Sequence, residues 1–134
     1  MTNDFEAIRD LLVRYATAID TRDWKLLRTC FTQDATTDYG DIGGWSDIEG
    51  VTSFMEEAHM GFGPSNHMLS NFVIDVEGHR ARAVCYVHVV LAFAHDPTSW
   101  VDSVGRYDDK LTFTADGWRI AERRVTMTRT TIDS

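Results

Sequence analysis

Apolar side chains recur at Phe5, Ile8, Leu12, Tyr15 and Ile19, three or four residues apart, with mostly polar positions between them. That period lays one apolar stripe along a helix from about Asp4 to Asp20. Asp23 stands before "WKLLRTCF" as an N-cap, and Trp24, Leu27 and Phe31 keep the helical spacing, so a short second helix is expected to end near Phe31. "QDATTDYGD" reads as a brief strand carrying Tyr39, and its glycines make "DIGGWSD" a loop. "IEGVTSFMEEAHMGF" is the third helix, with Ile48, Val51, Phe54, Met55 and Ala58 inward and Gly61, Gly63 and Pro64 ending it.

Beyond it the texture becomes that of strands: "NHMLSNFVIDV", "RARAVCYVHVVLAFAH", "WVDSVGRYDDKLTFT" and "WRIAERRVTMTRTTI", separated by turns at "EGH", "DPTS" and "ADG". Short turns between long strands predict an antiparallel meander. Three helices followed by such a sheet predict an α+β fold: a cone-shaped, curved antiparallel sheet, a cystatin-like roll, whose N-terminal helices cover the concave face. The length of 134 residues fits one domain over residues 1–134. A cone closed on one side by helices leaves a pocket, the first place to look for chemistry.

Charge narrows the partners. A net charge of −8 repels phosphate backbones and anionic headgroups, which argues against nucleic acid and membrane surfaces and for a small neutral molecule, expected to be a small hydrophobic molecule from the apolar pocket walls named below. "MTNDFEAIRD" has no basic and then apolar run of an export signal, and no window approaches the roughly 20 apolar residues of a membrane span, so a cytoplasmic location is expected. Cys30 and Cys85 then read as buried thiols. The histidines His59, His67, His79, His88 and His95 form no metal-binding spacing, and no metal or cofactor is expected. The run Val84–Ala94 is longer in apolar residues than one covered sheet face requires, which predicts a homo-oligomer, dimer or trimer.

Four polar residues fall on elements that could face the pocket: Tyr15 and Asp20 on the first helix, Tyr39 on the short strand, and His67 at the start of the first long strand. Singly, each has an ordinary reading as a core aromatic, a turn cap or a strand residue. Together they form an apparatus. A carboxylate accepting one imidazole N–H fixes the tautomer and raises the basicity of the other nitrogen, while two phenols hold a carbonyl oxygen that gains negative charge. Trp45, Phe54, Met55 and Phe72 are the expected apolar walls. His88 interrupts "CYVHVVLAF" and shares a face with Tyr86 and Val90, either toward the pocket or away from it. His59 and His79 read as surface residues. Arg119, Arg123, Arg124 and Arg129 crowd the last strand and read as outward side chains pairing with the excess carboxylates, although one bulge would reverse the parity.

The stretches "YATAIDTRDWKLLRTCF", "DYGDI" and "SNHML" resemble the nuclear-transport-factor-2-like superfamily, in particular its SnoaL-like and scytalone dehydratase-like branch, which includes bile-acid 7α-dehydratase. The resemblance implies a catalytic aspartate at Asp20, a strand tyrosine at Tyr39, a catalytic histidine at His67, and in Tyr15 the first-helix tyrosine of the bile-acid enzyme. It also shows departures. Ala92 stands where scytalone dehydratase has a second catalytic histidine, for which His88 is a partial substitute, and the chain ends soon after its last strand. Hexachlorocyclohexane dehydrochlorinase carries a lysine where this chain has Tyr15, which argues against dehalogenation. The implied activity is that of a cofactor-independent lyase (dehydratase) or isomerase/cyclase acting on a small hydrophobic carbonyl compound. The alternatives are a non-catalytic ligand-binding or assembly domain, or a protein like the β subunit of ring-hydroxylating dioxygenases.

Overall fold

A computed structural model describes residues 3–133. Helix α1 (Asp4–Thr21) is capped by the Asn3 side chain, which accepts from the Glu6 backbone N–H, and buries Ile8, Leu11, Leu12, Tyr15, Ala18 and Ile19 along one side. It ends at Arg22, whose left-handed backbone (φ 58°) turns the chain sharply. Helix α2 (Trp24–Arg28), capped by Asp23, stops before Phe31, which opens strand β1 (Phe31–Asp38) instead of closing the helix. The spacing of Phe31 is helical, but its buried side chain is placed by the sheet.

Tyr39 lies just past β1, at the head of a single 3-10 turn (Gly40–Ile42), rather than within a strand. The two-residue strand β2 (Gly44–Trp45) leads to helix α3 (Ile48–His59), capped by Asp47. Four long strands follow: β3 (Phe62–Glu77), β4 (Arg80–Phe93), β5 (Trp100–Thr114) and β6 (Gly117–Asp133). β3 begins four residues earlier than its sequence pattern indicates and takes in Gly63 and Pro64, which an edge strand accommodates.

The six strands form one curved, unclosed sheet in the order β2-β1-β6-β5-β4-β3. The meander β3 to β6 is antiparallel as expected. β1 returns beside β6 in parallel, so the sheet is mixed at that edge. Along β4 alternation is unbroken: Ala81, Ala83, Cys85, Val87, Val89 and Leu91 point inward, and His88 therefore points outward. Along β6 it breaks twice. Pairing passes from Leu111↔Ile120 to Lys110↔Glu122, leaving Ala121 as the extra residue, and from Gly105↔Met127 to Val104↔Arg129, leaving Thr128. Each bulge bends the strand and exchanges its faces, which turns Arg123, Val125 and Met127, and then Thr130, toward the concave side. Among the described residues, no helix is long and apolar enough to cross a membrane.

Candidate active site

The end of α1 is fastened to the start of β3. The Arg22 guanidinium donates to the Ile19 carbonyl at 2.8 Å, to Ser65 Oγ at 2.8 Å and to the Gly63 carbonyl. A cation there also suits the negative end of the helix. Because β3 is an edge strand, the His67 backbone N–H lacks a strand neighbour and donates to Asp20 Oδ2 at 2.8 Å. Asp20 Oδ1 accepts from His67 Nδ1 at 2.7 Å and from Ser65 Oγ at 2.8 Å. Burial raises the Asp20 pKa, but the bonds from His67 and Ser65 outweigh it and hold the carboxyl below its ordinary value. With Nδ1 donating to a carboxylate, Nε2 of His67 carries the free lone pair. No protein group among the described residues bonds to it.

His67 lines a cavity of about 460 Å³ between α3 and the concave face of the sheet. Its walls are mainly apolar: Ile42, Phe54, Met55, Ala58, Phe62, Val87, Val89, Leu91, Val101, Val125 and Met127. Tyr15 and Tyr39 share the lining, and their hydroxyls meet at 2.6 Å. Burial drives both phenol pKa values up, with Arg123 opposing, so both remain neutral donors at neutral pH. One hydroxyl of the pair donates to the other, which leaves the acceptor's own proton available to a ligand.

Beneath the tyrosines lies a group that alternation did not reveal. Arg123 is fully buried, donates through Nε and Nη2 to both Asp109 oxygens at 2.8 Å, and places its guanidinium 4.1 Å from the Tyr15 ring centroid and 4.0 Å from that of Tyr107. The outward reading of Arg123 is thus corrected. The bulge at Ala121 reverses the parity of β6, and Asp109, directly opposite in register, supplies the counter-charge. Burial opposes the guanidinium charge, and Asp109 outweighs it, so Arg123 stays protonated. Tyr107, also absent from the sequence-derived set, lines the cavity, and burial raises its pKa. Its signal was available as alternation with Ser103, Gly105 and Asp109 on β5.

The remaining sequence-derived residues divide. Phe54 and Met55 line the cavity, whereas Trp45 and Phe72 do not. Trp45 stacks on Phe54 at 4.4 Å and meets Tyr39 edge-on at 6.0 Å, so it backs the wall. Phe72 follows a β3 bulge at Asn71 (φ 54°) and packs against the core away from the cavity. His88, on the opposite face of the sheet, bonds to Asp102 Oδ1 at 2.8 Å and takes no part in the cavity. His59, read as a surface residue, is half-buried and lines it. Among the described residues, no group of three or more His, Cys, Asp or Glu side chains converges as a metal site would require.

A helix-covered curved sheet with its polar groups gathered inside the cone is the architecture of the SnoaL-like domain, and residues 1–124 match that family. The chain belongs to the SnoaL-like family. It is similar to the uncharacterized protein Rv2910c of Mycobacterium tuberculosis, 37% identical over 122 residues that cover 87% of this chain and 80% of that one. Among solved structures, a candidate scytalone dehydratase from Novosphingobium aromaticivorans superposes with a TM-score of 0.87 at 21% identity, covering 95% of this chain and 85% of its own. The hexachlorocyclohexane dehydrochlorinase LinA-type3 of Novosphingobium barchaimii gives 0.85 at 16% identity, covering 97% and 90%. At these identities the two structures establish the fold, which is shared by dehydratases and isomerases.

Proposed function

We propose that this protein is a cofactor-independent lyase or isomerase that removes a proton next to the carbonyl of a small hydrophobic compound. The observation that carries the reading is the Asp20–His67 pair, with Nδ1 fixed by the carboxylate at 2.7 Å and Nε2 without a protein partner, in an apolar cavity that also holds the Tyr15–Tyr39 hydroxyl pair. In this mechanism a C–H proton moves to His67 Nε2 and its electron pair passes to the carbonyl oxygen. The tyrosine pair donates to the enolate, and Asp20 stabilises the imidazolium. In a dehydration the enolate re-forms the carbonyl, a β-hydroxyl leaves with its bonding electrons, and the imidazolium returns the proton so that water departs. An isomerisation returns it to another carbon instead. Neither route consumes an oxidant or reductant. The apolar lining favours substrate rings over polar chains.

Elimination of water from 3-hydroxy-1-indanone, followed by absorbance, and exchange of the α-protons of 1-indanone in D₂O, followed by NMR, test the reading. Asp20→Asn is expected to fold and to slow both by about 10²- to 10⁴-fold, and His67→Gln by at least as much, with the double variant no worse than the poorer single one. Tyr15→Phe and Tyr39→Phe should each lower kcat more than they raise KM. Turnover that survives intact in both Asp20→Asn and His67→Gln would remove the mechanism and leave a ligand-binding domain as the better reading.

A further inference from the structure

His59 is the last residue of α3 and contributes nothing to the proton transfer just described, yet it lines the same cavity as His67. Its ring is held between Trp24, centroids 5.9 Å apart, and Phe62, 6.1 Å apart. Nδ1 lies 2.7 Å from the Met55 carbonyl oxygen. A carbonyl accepts only, so Nδ1 carries the hydrogen and the lone pair of a neutral ring is on Nε2. Burial lowers the pKa of this imidazole, with the Met55 carbonyl opposing, which keeps the ring neutral at neutral pH. No protein donor among the described residues reaches Nε2. The cavity therefore offers, besides the donors at Tyr15 and Tyr39 and the lone pair of His67 Nε2, a second acceptor with a fixed tautomer at His59.

We infer that His59 is a substrate-binding residue whose Nε2 accepts a hydrogen bond from a hydroxyl or N–H group of the ligand other than its reacting carbonyl. The inference rests on the reading that the cavity is the substrate site with its carbonyl held by the tyrosine pair. It narrows the ligand from any apolar carbonyl compound to one that also carries a hydrogen-bond donor. A hydrocarbon group against His59 would desolvate Nε2 without replacing its water, and binding would be weaker for it. An ether in the same place would fail similarly, because it offers no hydrogen.

The probes are 1-indanone, its 5- and 6-hydroxy derivatives, and the corresponding methyl ethers, with Kd read by calorimetric titration. For at least one ring position the wild-type protein should bind the hydroxy ketone about three- to tenfold more tightly than both the ether and the parent. His59→Phe keeps a ring beside Trp24 and Phe62 and should erase that preference, because the hydroxy ketone loses its acceptor while the parent and the ether no longer strand Nε2 and bind more tightly. His59→Gln, which retains an acceptor, should restore part of it. In the wild-type protein alone, the ¹⁵N resonance of His59 Nε2 should differ between the two complexes, hydrogen-bonded with the hydroxy ketone and without a partner with the ether, a readout that stands even if a variant folds poorly. An unchanged hydroxyl preference in His59→Phe, no preference at either ring position, or the same Nε2 resonance in the hydroxy-ketone and ether complexes would overturn the inference. The lyase reading stands or falls separately: a preference that depends on His59 with no accelerated elimination refutes the chemistry and keeps the binding residue, and the reverse result does the opposite.

Discussion

Asp20 sits in the last turn of α1, where the carbonyl end of the helix opposes a negative charge by a few tenths of a kcal/mol to about 1 kcal/mol. Three hydrogen bonds, from the His67 imidazole, the His67 backbone and Ser65, offset this, and charge-assisted bonds of that kind contribute about 1.5–3 kcal/mol each. The result is a carboxyl pKa below its unfolded value. A group so shifted stabilises the fold fully above its unfolded pKa near 4, and that contribution disappears as pH falls through the folded value. The stability difference between wild type and Asp20→Asn should thus shrink as pH falls below about 4. Urea melts of both proteins between about pH 2.5 and 5 check this; a difference that grows toward acid would contradict the sign. The same three bonds orient the histidine, so the stability of this contact and the position of Nε2 share one cause.

Elements acquire their curvature from irregular residues. The bulges of β6 aim Arg123, Met127 and Thr130 inward, and Gly105 of β5 lies against the second of them. A Cβ at Gly105 would overlap the Thr126 carbonyl oxygen and the Met127 backbone and sulfur, mostly backbone that has no room to withdraw. Gly105→Ala is expected to lower stability by about 1–3 kcal/mol, seen as a lower urea midpoint with an unchanged m-value. A midpoint equal to wild type would mean that β5 and β6 can separate there without loss. Gly43, with φ 146°, serves the neighbouring turn: its own Cα faces the Trp45 ring, and Tyr39 N–H donates to its carbonyl at 2.8 Å. That closure fixes the direction in which Tyr39 leaves β1 and reaches Tyr15.

At the scale of the molecule, the helices cover only one face of the sheet. On the other face, Met68, His88 and Val104 lie side by side across β3, β4 and β5, next to Tyr86. Met68, Tyr86 and Val104 are 46%, 52% and 42% exposed, an apolar group that water leaves uncompensated. Such a face is what the expected dimer or trimer would bury between identical subunits. Sedimentation equilibrium at micromolar concentration should return two or three times the 15.2 kDa chain mass, and Val104→Lys should lower it. A mass of one chain for the unaltered protein would contradict the expectation.

Periodicity alone determined the helices α1 and α3, the four long strands and the α+β class, because each apolar stripe needs only local geometry to be recognised. Asp20, His67, Tyr15 and Tyr39 were legible as candidates from their residue types and from the resemblance of the segments that carry them. Their contacts were not. The 2.7 Å bond between residues 47 positions apart depends on Arg22 fastening α1 to an edge strand whose N–H is free. The buried Arg123–Asp109 pair and the inward Thr130 depend on bulges, which shift side-chain parity without changing composition. His88 and His59 exchanged roles for related reasons. Unbroken alternation sent the strand histidine to the outer face, while the packing of α3 against Trp24 and Phe62 drew the helix-end histidine into the cavity. Local sequence specifies which face an element buries; only tertiary packing decides what that face meets, because register and bulges are set by contacts distant in the chain.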